Sequence, residues 1–153
     1  RVLFRSAKRA TAGGSWGAYY WNGYVYSSEL DRGFDILELT PNDKLSKNEI
    51  EAAKLMRQAV YNPQSQTKFE WPPAFVVVRS YLDQLVRNQG LAPARTTAIA
   101  AALDAAEAKS GAARKSALTA LAAQVDVDVK GAKDGQRVQW MSDAIKKLAA
   151  QTK

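Results

Sequence analysis

Hydrophobic and polar positions change rhythm once along this chain: they alternate between residues 18 and 39, and from Ser46 onward apolar residues recur at steps of three and four. Alternation spells strands, because successive side chains on an extended backbone point to opposite faces. Within Trp21-Asn22-Gly23-Tyr24, Asn and Gly accept the positive φ of a type I′ turn, so 18–21 is predicted to pair with 24–27 as a hairpin. Asp31-Arg32-Gly33 predicts a second turn. Residues 34–39 then form a third strand, with Phe34 and Ile36 on one face and Leu37 and Leu39 on the other. A strand apolar on both faces suits a sheet covered on both sides.

The helical rhythm starts at Ser46-Lys47-Asn48-Glu49, which has the form of a capping box. It predicts a helix from Ser46 through Ile50, Ala53, Met56 and Val60 to Asn62-Pro63. The proline-bounded stretch NPQSQTKFEWPPAF has no period and reads as a connector, with Phe69 and Trp71 pinning it to a surface. Four amphipathic stripes follow. The first runs Phe75, Val78, Tyr81, Leu82, Leu85, Val86 and is closed by Gly90 as a C-cap; the second opens at Pro93 and runs Ile99, Leu103, Ala106. The third carries Ala117, Leu118, Leu121 and Val125, and the fourth Val138, Met141, Ile145 and Leu148. Short glycine-marked loops between them imply antiparallel neighbours. The fold class is therefore mixed: an N-terminal β-meander followed by a mostly α-helical bundle. The boundaries read as a sheet over 7–43, a helix and proline-rich connector over 44–74, and an antiparallel bundle over 75–153.

Composition narrows the chemistry. The 153 residues contain no cysteine and no histidine, which removes disulfides, thiolate metal sites and cysteine nucleophiles, and also the commonest general base. Catalysis would rest on carboxylates, Lys, Tyr or Ser, and no spacing of these suggests it. Asp126 and Asp128 of DVDVK stand at i and i+2, but a calcium loop also needs further oxygen ligands, an internal Gly and a terminal Glu, and Lys130 would repel the ion. The pair reads as a fraying, solvated helix end. GAKDGQ, 131–136, lacks the preceding strand and the Gly-Lys-Ser/Thr of a phosphate loop, and reads as a turn. Glu29, Asp31, Asp35 and Glu38 read as solvated edge charges. Trp16, Tyr19, Tyr20, Trp21, Tyr24 and Tyr26 read as sheet packing, with an aromatic platform for a sugar or other ligand as the functional alternative. No catalytic, cofactor-binding or metal-ligating residue is assigned, and no cofactor is expected.

The formal charge of +7 is unevenly placed. Residues 7–43 hold three basic and five acidic side chains, whereas 44–153 hold seventeen and ten. A basic excess can mark binding to polyanions, but here Lys and Arg are scattered among Asp and Glu without interleaved aromatics, which fits a solvated helix surface. No apolar run approaches the roughly 20 residues that span a membrane.

GYVYSSELDRGFDILELTP resembles one unit of the LVIVD-repeat β-propeller: Gly23, Tyr24 and Tyr26 match its first strand and Gly33 its turn. Phe34, Ile36, Leu37, Leu39, Thr40 and Pro41 match its second strand. The resemblance covers about residues 15–41 and implies a last propeller blade, since single repeat units bury their faces only against neighbours. RSYLDQLVRNQGL, with the helices that follow it to Ala150, is similar to the FIMAH-like helical modules at the ends of large bacterial extracellular proteins. Together these imply the C-terminal part of an exported, non-enzymatic bacterial protein, secreted or at the cell surface. The propeller would bind an extracellular protein or polysaccharide, missing upstream blades would complete it in cis, and the helices would act as spacer or anchor. Two alternatives remain: an enzyme whose active site lies in the missing blades, and a weak polyanion binder acting through the basic helices. Arg1–Ser6, RVLFRS, matches a translation of the end of a common short-read sequencing adapter and reads as a sequencing artefact, with a natural linker as the alternative; on the artefact reading it is set aside from the fold and the true N-terminus is expected upstream.

Overall fold

The computed structural model describes residues 14–30, 33–65 and 68–153; the adapter-like residues 1–6 and the Asp31-Arg32 half of the second turn lie outside these. The chain divides into two compact units, Arg1–Glu70 and Trp71–Lys153.

In the first unit β1 (Ser15–Trp21), β2 (Tyr24–Glu29) and β3 (Gly33–Glu38) form an antiparallel meander in the order β1-β2-β3. The hairpin turn is the one the sequence specifies, with φ +49° at Asn22 and +104° at Gly23, so that Trp21 faces Tyr24 and Ala18 faces Ser27. A bulge between Ser15 and Gly17 lets β1 run further back than expected. β2 and β3 pair from Tyr24↔Glu38 to Glu29↔Gly33.

α1 (Lys47–Lys54) begins as expected: Ser46 Oγ accepts from the Glu49 N–H, and the Glu49 carboxylate accepts from the Ser46 N–H. It ends two turns before Asn62, and the reason lies in the hairpin. The Gln58 N–H, which would bond Lys54 in a continuing helix, donates to Asn22 Oδ1 at 2.9 Å, and Asn22 Nδ2 donates to the Gln58 carbonyl at 2.8 Å. Arg57 adds a bond to the Asn22 carbonyl. The turn residue thus captures the chain after α1, and Val60 stands in solvent instead of on a helical stripe. Phe69 and Trp71 also stay half exposed and pin nothing down.

The second unit is a four-helix arrangement: α2 (Phe75–Arg87), α3 (Pro93–Glu107), α4 (Gly111–Asp128) and α5 (Gly135–Gln151). All four stripes point inward. Val78, Leu85, Leu103, Leu118, Val125, Val138, Met141 and Ile145 are fully buried in one continuous core. Val86 departs from its stripe and lies in solvent, while Val77 is buried in its place. α2 closes with the two bonds of a Schellman motif, Gly90 N–H to the Leu85 carbonyl and Gln89 N–H to the Val86 carbonyl. Its left-handed residue is Gln89, φ +53°, not the expected Gly90. Gly90 is needed for space: a Cβ there would lie 2.8 Å from Asp134 Cβ and 2.9 Å from Leu85 Cδ2.

Candidate functional site

The register of the meander sorts its side chains into two faces. Directly paired residues share a face, so Tyr19, Tyr26 and Ile36 form one row, Trp21, Tyr24 and Glu38 a second, and Gly17, Ser28 and Phe34 a third, all on the same side. Five aromatic rings therefore crowd one sheet face. Trp21 and Tyr26 lie 5.8 Å apart between ring centroids, Tyr26 and Phe34 6.0 Å, and Tyr61 from the connector reaches Tyr19 at 5.7 Å. These tilted contacts are the favoured geometry for ring quadrupoles. Yet the face is open: Tyr19 is 53% exposed, Tyr24 41% and Phe34 60%. The Trp21 indole N–H is shut off from water and has no acceptor among the described residues, an arrangement that costs about 1–3 kcal/mol while it lasts.

The opposite face carries Ala18, Tyr20, Val25, Ser27, Asp35 and Leu37. Ser27 and Asp35 are buried there, and Ser27 Oγ shares a 2.6 Å hydrogen bond with Ser15 Oγ. Asp35 is thus not the solvated edge charge its position suggested, because the β2–β3 register sets it beside Ser27 rather than at a rim. Burial pushes the Tyr20 hydroxyl up, against the opposing pull of the Gly23 backbone, Arg57 and Lys54.

In the helical unit the acidic residues are committed to holding helices together. Asp126 accepts from Ser142 Oγ at 2.5 Å and Lys146 Nζ at 2.9 Å, and these partners on α5 hold its carboxyl below the usual range. Asp128 receives both Nε and Nη2 of Arg95, a forked pair joining α4 to the start of α3. The end of α4 is therefore tied down, not frayed, because α3 and α5 each present a cation to it. Residues 131–136 form the expected turn, and Asp134 there caps α5 by accepting from the Arg137 N–H at 3.1 Å. The side chains of Arg137 and Asn88 also donate to Asp134. No group of three or more Asp and Glu is assembled that could hold a metal ion among the described residues.

An open cleft of about 370 Å³ lies between α4 and α5, lined by Ala122, Ala123, Ala149 and Ala150 with Lys115 and Lys146 at its rim. Lys146 is already paired, and Thr119 spends its hydroxyl on the Lys115 carbonyl, so the cleft holds no nucleophile with a base beside it. The open sheet face is what the sequence did not announce. Its signal was present in the alternation Tyr19, Trp21 and Tyr24, Tyr26, since four aromatics at even spacing commit one face.

A scan against protein-family models, a search of curated proteins and a search of solved structures each return no match to this chain. No helix among the described residues is long and apolar enough to cross a membrane. The architecture is that of a β-meander unit followed by a helical-bundle unit, and the functional reading rests on surfaces alone.

Proposed function

We propose that this chain is the terminal part of an exported, non-enzymatic repeat protein of the LVIVD-propeller type. In this reading the meander is a blade, its aromatic face stacks on a neighbouring blade of the same polypeptide, and the helical unit serves as spacer or anchor. The observation that supports it most is the open face of Tyr19, Trp21, Tyr24, Tyr26 and Phe34. A three-stranded meander needs a packed apolar face for independent stability, and a stacked sheet supplies one at a spacing of about 10 Å. The whole propeller would then bind an extracellular protein or polysaccharide through its loops. The deciding experiment is to sequence the gene upstream of the Ala7 codon from source DNA. Repeats of the Gly-Tyr-x-Tyr kind behind an export signal support the reading, and a start codon directly before a genuine RVLFRS segment removes it.

A second reading, weak binding of a polyanion, is favoured by the charge pairing of the helical unit. Each of its seven carboxylates has a polar or ionic partner, whereas Lys109, Lys115, Lys130, Lys133 and Lys153 have no ion pair among the described residues. Binding of heparin should then fall steeply between 50 and 200 mM salt, as counterion release requires. A flat salt response would eliminate it.

A further inference from the structure

We infer that, in the chain as it stands, the aromatic sheet face is covered by a second copy of itself, through a two-fold, sheet-on-sheet interface. The inference rests on the reading of this face as a stacking surface and names the occupant that surface takes when no neighbouring blade is present.

Area is the argument. An aromatic side chain contributes about 150–250 Å² when fully buried, so the exposed parts of Tyr19, Tyr24 and Phe34 supply roughly 300 Å². The half-covered Trp21, Tyr26 and Ile36, with Tyr61 at the margin, bring the patch to on the order of 500 Å². That is near the upper end of what monomeric proteins leave open, about 300–600 Å². In an isologous dimer each patch counts twice, giving about 1,000 Å² of buried surface, which is the lower limit for a specific interface. Aromatic composition favours it further, because Trp and Tyr dominate the residues that carry binding energy. In the paired rows of this face the charged residue is Glu38 at the edge, with the Lys54 charge close to it and to Tyr24, so the ring surface itself is uncharged. An apolar surface that repels neither itself nor its mirror position is self-complementary.

The test uses the full 153-residue chain in sedimentation velocity from 1 to 200 µM. The expected result is a monomer–dimer equilibrium that Phe34→Lys shifts at least tenfold toward monomer. Val127→Ser, at an exposed apolar residue of the helical unit, should leave it unchanged. Far-ultraviolet circular dichroism of each variant separates a lost interface from a lost fold. Because the chain has no cysteine, Ser28→Cys places a single thiol on the aromatic face, between Gly17 and Phe34. A bis-maleimide cross-linker, which spans the roughly 10 Å between stacked sheets that a direct disulfide cannot, should link it into a dimer, and Ala123→Cys on the helical unit should not be linked. A chain that stays monomeric at 200 µM, or that associates equally well with Phe34→Lys, overturns the dimer. So does a monomer whose tryptophan fluorescence responds to xylo- or cello-oligosaccharides, which makes the face a sugar platform. A monomer without ligand leaves the stacking reading to the upstream gene sequence, so the two fail separately.

Discussion

The two units of this chain spend their hydrophobic residues in opposite ways. Among the described residues, seventeen of nineteen buried apolar residues lie in the helical unit, and the sheet unit contributes Ile50 and Ala52, both on α1. Of thirteen large apolar side chains left exposed, nine lie in the sheet unit. One unit thus has a closed core, and the best apolar surface of the other faces outward. A helix needs one covered stripe, and four helices joined by short loops cover each other's. A sheet has two faces, and three strands cannot fold back to cover both. Among the described residues the helical unit covers its own apolar stripes, and the sheet unit leaves an aromatic face open.

The sharpest way to break this comparison is to damage the self-sufficient unit. Leu118 is fully buried at the centre of the helical core, and truncating it leaves a cavity. Leu118→Ala should cost about 2–5 kcal/mol, a large fraction of the stability of a unit of this size, and so lower its denaturation midpoint. Chemical denaturation followed at 222 nm should show a loss of midpoint with an unchanged slope. Phe34→Ala, by contrast, should shift the midpoint of monomeric protein by less than about 0.5 kcal/mol, since its ring is already in water. Equal effects from the two would mean that the sheet face is covered within the monomer.

Gly90→Ala comes next in size. The added Cβ would meet Asn88 Oδ1 at 2.6 Å, Asp134 Cβ at 2.8 Å and Leu85 Cδ2 at 2.9 Å. The Gly90 carbonyl also accepts from the Asp134 N–H at 3.0 Å, so the junction between α2 and α5 cannot move apart without losing that bond. About 1–3 kcal/mol of destabilisation is expected, read as a lower melting temperature. Gln89→Gly, at the left-handed position, should stabilise by up to about 1 kcal/mol.

Within the sheet unit the equivalent keystone is Asn22. Its side chain both accepts from and donates to the Gln58 backbone. Asn22→Ala loses these bonds and places a Cβ-bearing residue without a local partner at φ +49°, a combined cost of about 1–2 kcal/mol. Hydrogen exchange at the Gln58 amide should accelerate markedly, while amides of α4 and α5 keep their protection.

How much of this was legible beforehand divides along the same line. The stripes of all four helices in the bundle were readable because their partners lie within the same eighty residues, so local period and tertiary burial agree. Pro93 at N1 and Ser46 at its cap were readable because their interactions are local. The early end of α1 was not, since it is set by Asn22, thirty-six residues away. The pairing of Asp126 and Asp128 was hidden for the same reason: their cations sit on α5 and α3. The C-cap was placed one residue late because the Schellman bonds set the left-handed residue at Gln89 and leave Gly90 to make room for Asp134 and Leu85. The candidate surface was half legible, its residues evident in the alternation and its openness decided by what fails to cover it.

The smallest predicted effect is the response of the helical unit to acid. The Lys146 and Ser142 hydrogen bonds hold the Asp126 carboxyl down. Burial pushes Asp134 up, but the Arg137 backbone N–H, the Asn88 amide and the Arg137 charge outweigh it and leave this carboxyl lowered too. A group whose folded pKa lies below its unfolded value binds its proton more readily in the unfolded chain. Its stabilisation is therefore complete above about pH 4, the ordinary Asp range, and is lost as pH falls through the folded value. The Asp126 pair is about 40% exposed on both sides, so solvent screening holds its share to a fraction of a kcal/mol. The melting temperature of the helical unit should be level from pH 5 to 7 and decline below pH 4, and Asp126→Asn should flatten part of that decline.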